Sequence, residues 1–201
     1  MNLCDLNEIL NQYKKERDCF AKTIILGNMK FDYVEFLSQE YLFMIGLMRF
    51  TGVVLSNSPP FAFNTLSRAI FRFNEFINFL NEKFKLNNIN ISIIQEIPIT
   101  NEYLAYIKSL HILSFKHQLT SLCLICNFFS TTIFEENLHS DLKELGTFLK
   151  NIQFDQICKD LKKDLDQASS IEDKVECDKI NIKKLMLLEC ESWKMLYVNN
   201  K

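Results

Sequence analysis

The chain has 201 residues, 48% of them hydrophobic, and a formal net charge of -2. That length suits one domain with a full core, spanning residues 1–201, and a near-neutral balance without a basic stripe excludes an electrostatic case for nucleic acid. The apolar runs stop short of the roughly 18–20 residues that cross a bilayer, and acids among the first apolar residues argue against a signal peptide, so the expectation is a cytoplasmic protein with no membrane partner.

Four Gly and three Pro leave few chain breaks and favour long helices. Residues 2–26 read as a first amphipathic helix, with Leu6, Leu10, Tyr13 and Phe20 on one side and Lys14, Lys15, Glu16 and Arg17 outside. Gly27 suits the left-handed turn that closes a helix. From Phe31 to about residue 55 the apolar residues recur at helical spacing: Phe31, Val34, Leu37, Tyr41, Met44, Ile45 and Met48. The polar side chains deep in that run are Ser38, Gln39, Glu40 and Arg49. A carboxylate set among Phe36, Leu37, Tyr41, Phe43 and Met44 costs several kcal/mol if buried alone, so Glu40 is either turned to water or held for a purpose.

Asn57-Ser58-Pro59-Pro60 marks a helix start, with Ser58 as its cap. The third helix runs to about Lys85, supplies much aromatic bulk through its Phe residues, and ends at Asn87-Asn88. A connection over 89–100 leads to a fourth helix, 101–115. The fifth run, 116–137, is apolar nearly all round, which predicts a helix at the bundle centre. Two shorter helices, 140–151 and 155–168, precede a break at Ser169-Ser170, where Ser170 and Asp173 resemble a capping box. A last helix covers 172–197. No strand alternation runs for a convincing length, so the fold class is an all-α multi-helix bundle.

Seven Cys are scattered through helical segments, which reads as reduced thiols. Cys123 and Cys126 share a helix face, but without a second pair or a nearby His they read as core packing rather than zinc ligands. Three His, at 111, 117 and 139, are too few and too scattered for a di-metal site, so no metal is expected.

Two segments carry a resemblance. Phe-Leu-Ser-Gln39-Glu40-Tyr41-Leu-Phe43 resembles the second helix of the TenA/thiaminase II family, and Glu189-Cys-Glu-Ser-Trp193-Lys-Met195-Leu-Tyr197 is similar to that family's closing helix. The resemblance implies a heme-oxygenase-like bundle around one pocket, a pyrimidine-type small-molecule ligand, no cofactor, and a homo-oligomer, for which the third helix's many Phe offer a surface. It implies hydrolysis of a C–N bond on an aminomethylpyrimidine or thiamin-derived compound, as in thiamin salvage. Glu189 matches the family's acid/base group, and Glu40 the acid that bonds a ring nitrogen. Glu191 then faces out.

The nucleophile departs from the family pattern. An ungapped match puts Ile125 on the family's cysteine; a shift of one residue brings in Cys126 but turns the side chain by about 100°. Cys126 is therefore read either as that nucleophile or as a buried inert thiol. Tyr41 and Phe43 follow Glu40 in the matched segment, with Phe43 where a pocket tyrosine is common. Tyr106 or Ile107 takes a second such position, Ile152 another, and Phe129 one more. A catalytically degenerate relative, binding a flat ligand or serving as an interaction module, is the alternative to the enzyme.

Overall fold

The computed structural model describes residues 8, 10–16, 29–133, 142–171, 182–195 and 197–199. Gly27, the outer turns of the first helix, residues 134–137, His139, Asp173 and the start of the last helix lie outside them. A helical segment over residues 10–16 (α1) precedes α2 (Tyr33–Ser56), α3 (Pro60–Leu86), α4 (Pro98–Ser109), α5 (Phe115–Ile133), α6 (Leu142–Asn151), α7 (Phe154–Ile171) and α8 (Ile182–Met195). The all-α class holds, with one small addition. Met29–Phe31 (β1) pairs antiparallel with Tyr197–Asn199 (β2), Phe31 opposite Tyr197. Tyr197 therefore leaves the last helix, which stops at Met195.

That ribbon fixes the height of α2 against α8. It ties the start of α2 to the end of α8, so positions at equal distance from it lie at equal height. Glu40 is seven residues into α2, about 10 Å at the helical rise, and Glu189 is six from the end of α8, about 9 Å. Two acids 149 positions apart in the chain thus meet at one level of the bundle.

α2 starts two residues later than the apolar period suggests, because Asp32 caps it. The Asp32 side chain accepts from the Glu35 backbone N–H at 2.9 Å, which satisfies one of the donors a helix start leaves orphaned. Ser58 does not cap α3. Its hydroxyl donates to Leu55 O at 2.8 Å and so closes α2, while α3 begins on Pro59-Pro60 without a side-chain cap. The fourth helix is shorter than expected. It ends at Ser109 and tightens into a 3-10 turn, Leu110–Ile112, before Leu113 turns extended. Gln118 donates to the freed carbonyl of His111 at 2.8 Å, which stabilises the break. Ser169 and Ser170 do not interrupt α7, whose backbone stays helical to Ile171; serine costs a helix too little to end it without Gly or Pro nearby.

α5 is the central helix. Leu119, Leu122, Ile125, Cys126 and Phe128 are all fully buried, as its unbroken apolar surface requires. Phe73 and Phe76 of α3, Phe148 of α6, Phe129 of α5 and Phe154 of α7 form one aromatic cluster with neighbouring centroids 5.7–6.2 Å apart. Among the described residues no helix is long and apolar enough to cross a membrane. The described cysteines, Cys123, Cys126, Cys158 and Cys190, are buried free thiols.

Candidate functional site

The polar residues of α2 separate by what they bond. Ser38 returns its hydroxyl to Val34 O at 2.9 Å, the usual way a helix absorbs a serine. Gln39 reaches out of its helix: Nε2 donates to Gln95 O at 2.9 Å and Oε1 accepts from Ile97 N–H at 3.2 Å. It clamps the connection before α4 against α2. Glu40 is left. Half-buried as a residue, it has a fully enclosed Oε2 with no hydrogen-bond partner. An orphaned buried acceptor costs about 1–3 kcal/mol, so this atom is one that a ligand, a water or a proton would relieve.

It opens onto a cavity lined by Gln39, Glu40 and Phe43 of α2, Ile97, Thr100 and Tyr103 around the start of α4, and Glu189, Ser192 and Trp193 of α8. The closed space is small, about 20 Å³, room for about one water. Glu189 is buried and fully partnered. Tyr103 Oη donates to its Oε2 at 2.8 Å and Trp193 Nε1 donates to its Oε1 at 3.1 Å. The one-turn spacing of Glu189 and Trp193 makes the second bond possible. Trp193 is itself packed on Phe36, centroids 5.6 Å apart, and Tyr103 on Phe43 at 4.8 Å.

Burial and hydrogen bonds act on Glu189 in opposite directions. Desolvation pushes its carboxyl up, the Tyr103 and Trp193 donors pull it back, and it comes to rest at about 7. Glu40 lacks such donors. Burial, and then the charge of Glu189, raise its carboxyl well above the ordinary range. The pair therefore sets a Glu40 that holds its proton more firmly than an ordinary carboxyl beside a Glu189 that readily gives or takes one near neutral pH. Tyr103 is raised well above its ordinary value by burial and by Glu189, and stays a donor.

Of the residues expected in the site, the structure brings Glu40, Phe43 and Glu189 together. Tyr41 points to the opposite side of α2, edge-on to Phe84 of α3 at 5.3 Å. Tyr106 lies under the Lys184 ammonium, 5.5 Å from its ring centre. Phe129 is sunk in the aromatic cluster between α3 and α7. None of the three is on the cavity wall, because each sits on another face of its helix. Cys126 is not on the wall either. It is fully buried beside Cys158, whose Sγ approaches Cys126 O at 3.5 Å. Burial, then Cys158, Cys123 and Glu189, push its thiol well up, the reverse of what a nucleophile needs. Glu191 faces out and pairs with Lys194 at 2.5 Å.

Tyr103, Thr100, Gln39 and Ser192 are wall residues that the sequence reading passed over. Nothing local separates Tyr103 from Tyr106, three residues on; the fold puts the Tyr103 hydroxyl on Glu189 and the Tyr106 ring under Lys184.

A solved structure of a TenA homologue from Pyrococcus furiosus superimposes with a TM-score of 0.75, covering 95% of this chain and 98% of that one at 17% identity. The chain has a TenA-like fold. No family model and no curated protein sequence matches it. Within this TenA-like bundle the two acids occupy one chamber, and the four described cysteines lie outside its wall.

Proposed function

We propose that the protein hydrolyses a C–N bond on an aminomethylpyrimidine or related thiamin-derived compound, with Glu189 as acid/base and without a thiolate. The observation that carries this reading is a buried Glu189 near pKa 7, held by two donors and sharing its chamber with Glu40, whose carboxyl burial also pushes up. A general base is most effective with its pKa near working pH. Ionised Glu189 takes a proton from water as the water oxygen bonds to the carbon bearing the amine. The C–N bond breaks with its electron pair going to nitrogen, and the proton passes from Glu189 to that nitrogen. The net change is amine plus water to alcohol plus ammonia. Glu40, protonated, donates to a ring nitrogen and draws electron density from the reacting carbon. Phe43 and Trp193 offer faces for a flat ring.

A flat ring exceeds the present cavity, so binding requires the clamp at Gln39 to yield or the Phe43–Tyr103 pair to part. That small volume, together with the absence of a thiol among the described wall residues, favours a second reading: a bundle that binds a flat base and performs no chemistry. A single experiment separates them. Ammonia release from an aminomethylpyrimidine is followed for wild type and Glu189→Gln, with binding read by calorimetry. The hydrolase reading expects a loss of about 10²-fold or more in the variant. Equal rates remove the role given to Glu189. Binding without ammonia release from the wild type supports the second reading.

A further inference from the structure

A second and larger hollow, about 440 Å³, lies between α2 and α4 on the other side of the Phe43–Tyr103 pair from the acid chamber. Its volume is in the range of small-molecule sites. One row of α2 (Leu42, Ile45, Gly46, Arg49) and one row of α4 and its 3-10 turn (Leu104, Ile107, Lys108, His111) form it, with Glu96. The two rows run the same way. Phe43 packs tilted against Tyr103, and seven residues further along α2 Phe50 stacks on His111 with ring planes 5° apart. Arg49 therefore lies level with Lys108 and His111, and Leu42 lies toward the end where Glu96 precedes α4. From Leu42 to Arg49 is about 10 Å along the helix.

The hollow is thus apolar along its length, with two cationic side chains at one end and one carboxylate at the other. At Gly46 the floor approaches the opposite wall: a Cβ there would lie 2.4 Å from Leu104 Cδ2, so the end of that side chain would have to shift. Among the described residues Arg49 and Lys108 have no acidic partner, whereas Arg68, Arg72 and Lys184 each pair with one. Unpaired cations beside an apolar wall are the arrangement that recognises an anionic head on an apolar body.

We propose that the cleft between α2 and α4 binds a small amphiphilic anion, an apolar body of about 10 Å carrying one carboxylate or phosphate at the Arg49 and Lys108 end. Its Glu96 end accepts a hydrogen-bond donor at the ligand's far terminus. The inference is independent of the chemistry assigned to Glu189.

The test uses eight-carbon probes of different charge on the full chain: octanoate, octyl phosphate, octanol, octylammonium and 8-aminooctanoate. Calorimetry gives affinity, and amide shifts of Gly46 and Lys108 give location. Octanoate or octyl phosphate is expected to bind at least tenfold more tightly than octanol and octylammonium, with shifts at this cleft. In Arg49→Glu with Lys108→Glu, both exposed in the wild type, that order is expected to invert toward octylammonium, which also shows the variant is folded. Glu96→Gln is expected to weaken 8-aminooctanoate and spare octanoate. No binding of either anion, octanol equal to the anions, affinity unchanged in the double variant, or shifts confined to the Glu40–Glu189 chamber each overturn the proposal.

Discussion

Glu189 shows how a site is tuned by balancing costs on one carboxyl. Its folded pKa of about 7 stands above the ordinary 4.5. A carboxyl raised by folding leaves stability at its fullest while the group is protonated in both states, below about 4.5. That stability is lost as pH rises through 7, because ionisation is then resisted only in the folded protein. The shift corresponds to about 2–3 kcal/mol between pH 5 and pH 8. Glutamine at 189 can keep both bonds, its oxygen accepting from Trp193 and its amide donating to the Tyr103 oxygen. Glu189→Gln is therefore expected to gain stability over wild type at pH 8 and little at pH 5, read by urea unfolding at both. A difference that does not grow with pH contradicts the buried-acid account. Cys126 is the converse case. Fully buried with its thiol held protonated, it is expected to tolerate Cys126→Ser with ammonia release changed less than about threefold, since an inert side chain contributes nothing to a barrier. Loss of the activity along with retained folding would restore it as the nucleophile.

The clamp made by Gln39 works at the level of the element. Two hydrogen bonds hold residues 95–97 on α2 and so keep Ile97 on the wall of the acid chamber. Gln39→Ala leaves Ile97 N–H and Gln95 O without their partner, a cost of about 1–3 kcal/mol. Its specific signature is faster hydrogen exchange at Ile97, with the amides of mid-α2 unchanged; uniform exchange along α2 would show the clamp to be incidental. The glycines of α2 form a matched pair. At Gly52 a Cβ meets nothing within 4 Å, so Gly52→Ala is expected to stabilise by about 0.5–1 kcal/mol through helix propensity. At Gly46 the same change meets Leu104 Cδ2 at 2.4 Å, so the end of that half-buried side chain must shift and part of the gain is offset. Thermal unfolding should therefore rise more for Gly52→Ala than for Gly46→Ala.

Much of the element plan was readable. Helical spacing from Phe31 placed α2, the unbroken apolar surface after Lys116 placed a central α5, and Asn87-Asn88 ended α3. What failed were boundaries decided by hydrogen bonds between elements. Ser58 was spent on α2 rather than α3, and the break after Ser109 depends on Gln118, nine residues away. A three-residue ribbon has too short a pattern to register as strands, yet it ties α2 to α8. The acid pair was visible as two motifs, since each Glu lies on an otherwise apolar helix face. The rest of the wall was not, because whether Tyr103 or Tyr106 turns inward depends on a rotation of α4 that no local pattern sets.

Across the whole molecule, then, the ribbon that joins the start of α2 to the end of α8 brings Glu40 and Glu189 to one height in a TenA-like bundle, where neither can ionise as it would in water. A carbon-13 NMR titration of the glutamate side-chain carboxyls tests that claim most directly, with Glu189→Gln and Glu40→Gln assigning the two signals. One carboxyl is expected to titrate near 7 and the second well above the ordinary carboxylate range, the first moving higher in Tyr103→Phe. Both carboxyls titrating near 4.5, unaffected by each other's removal, would contradict it.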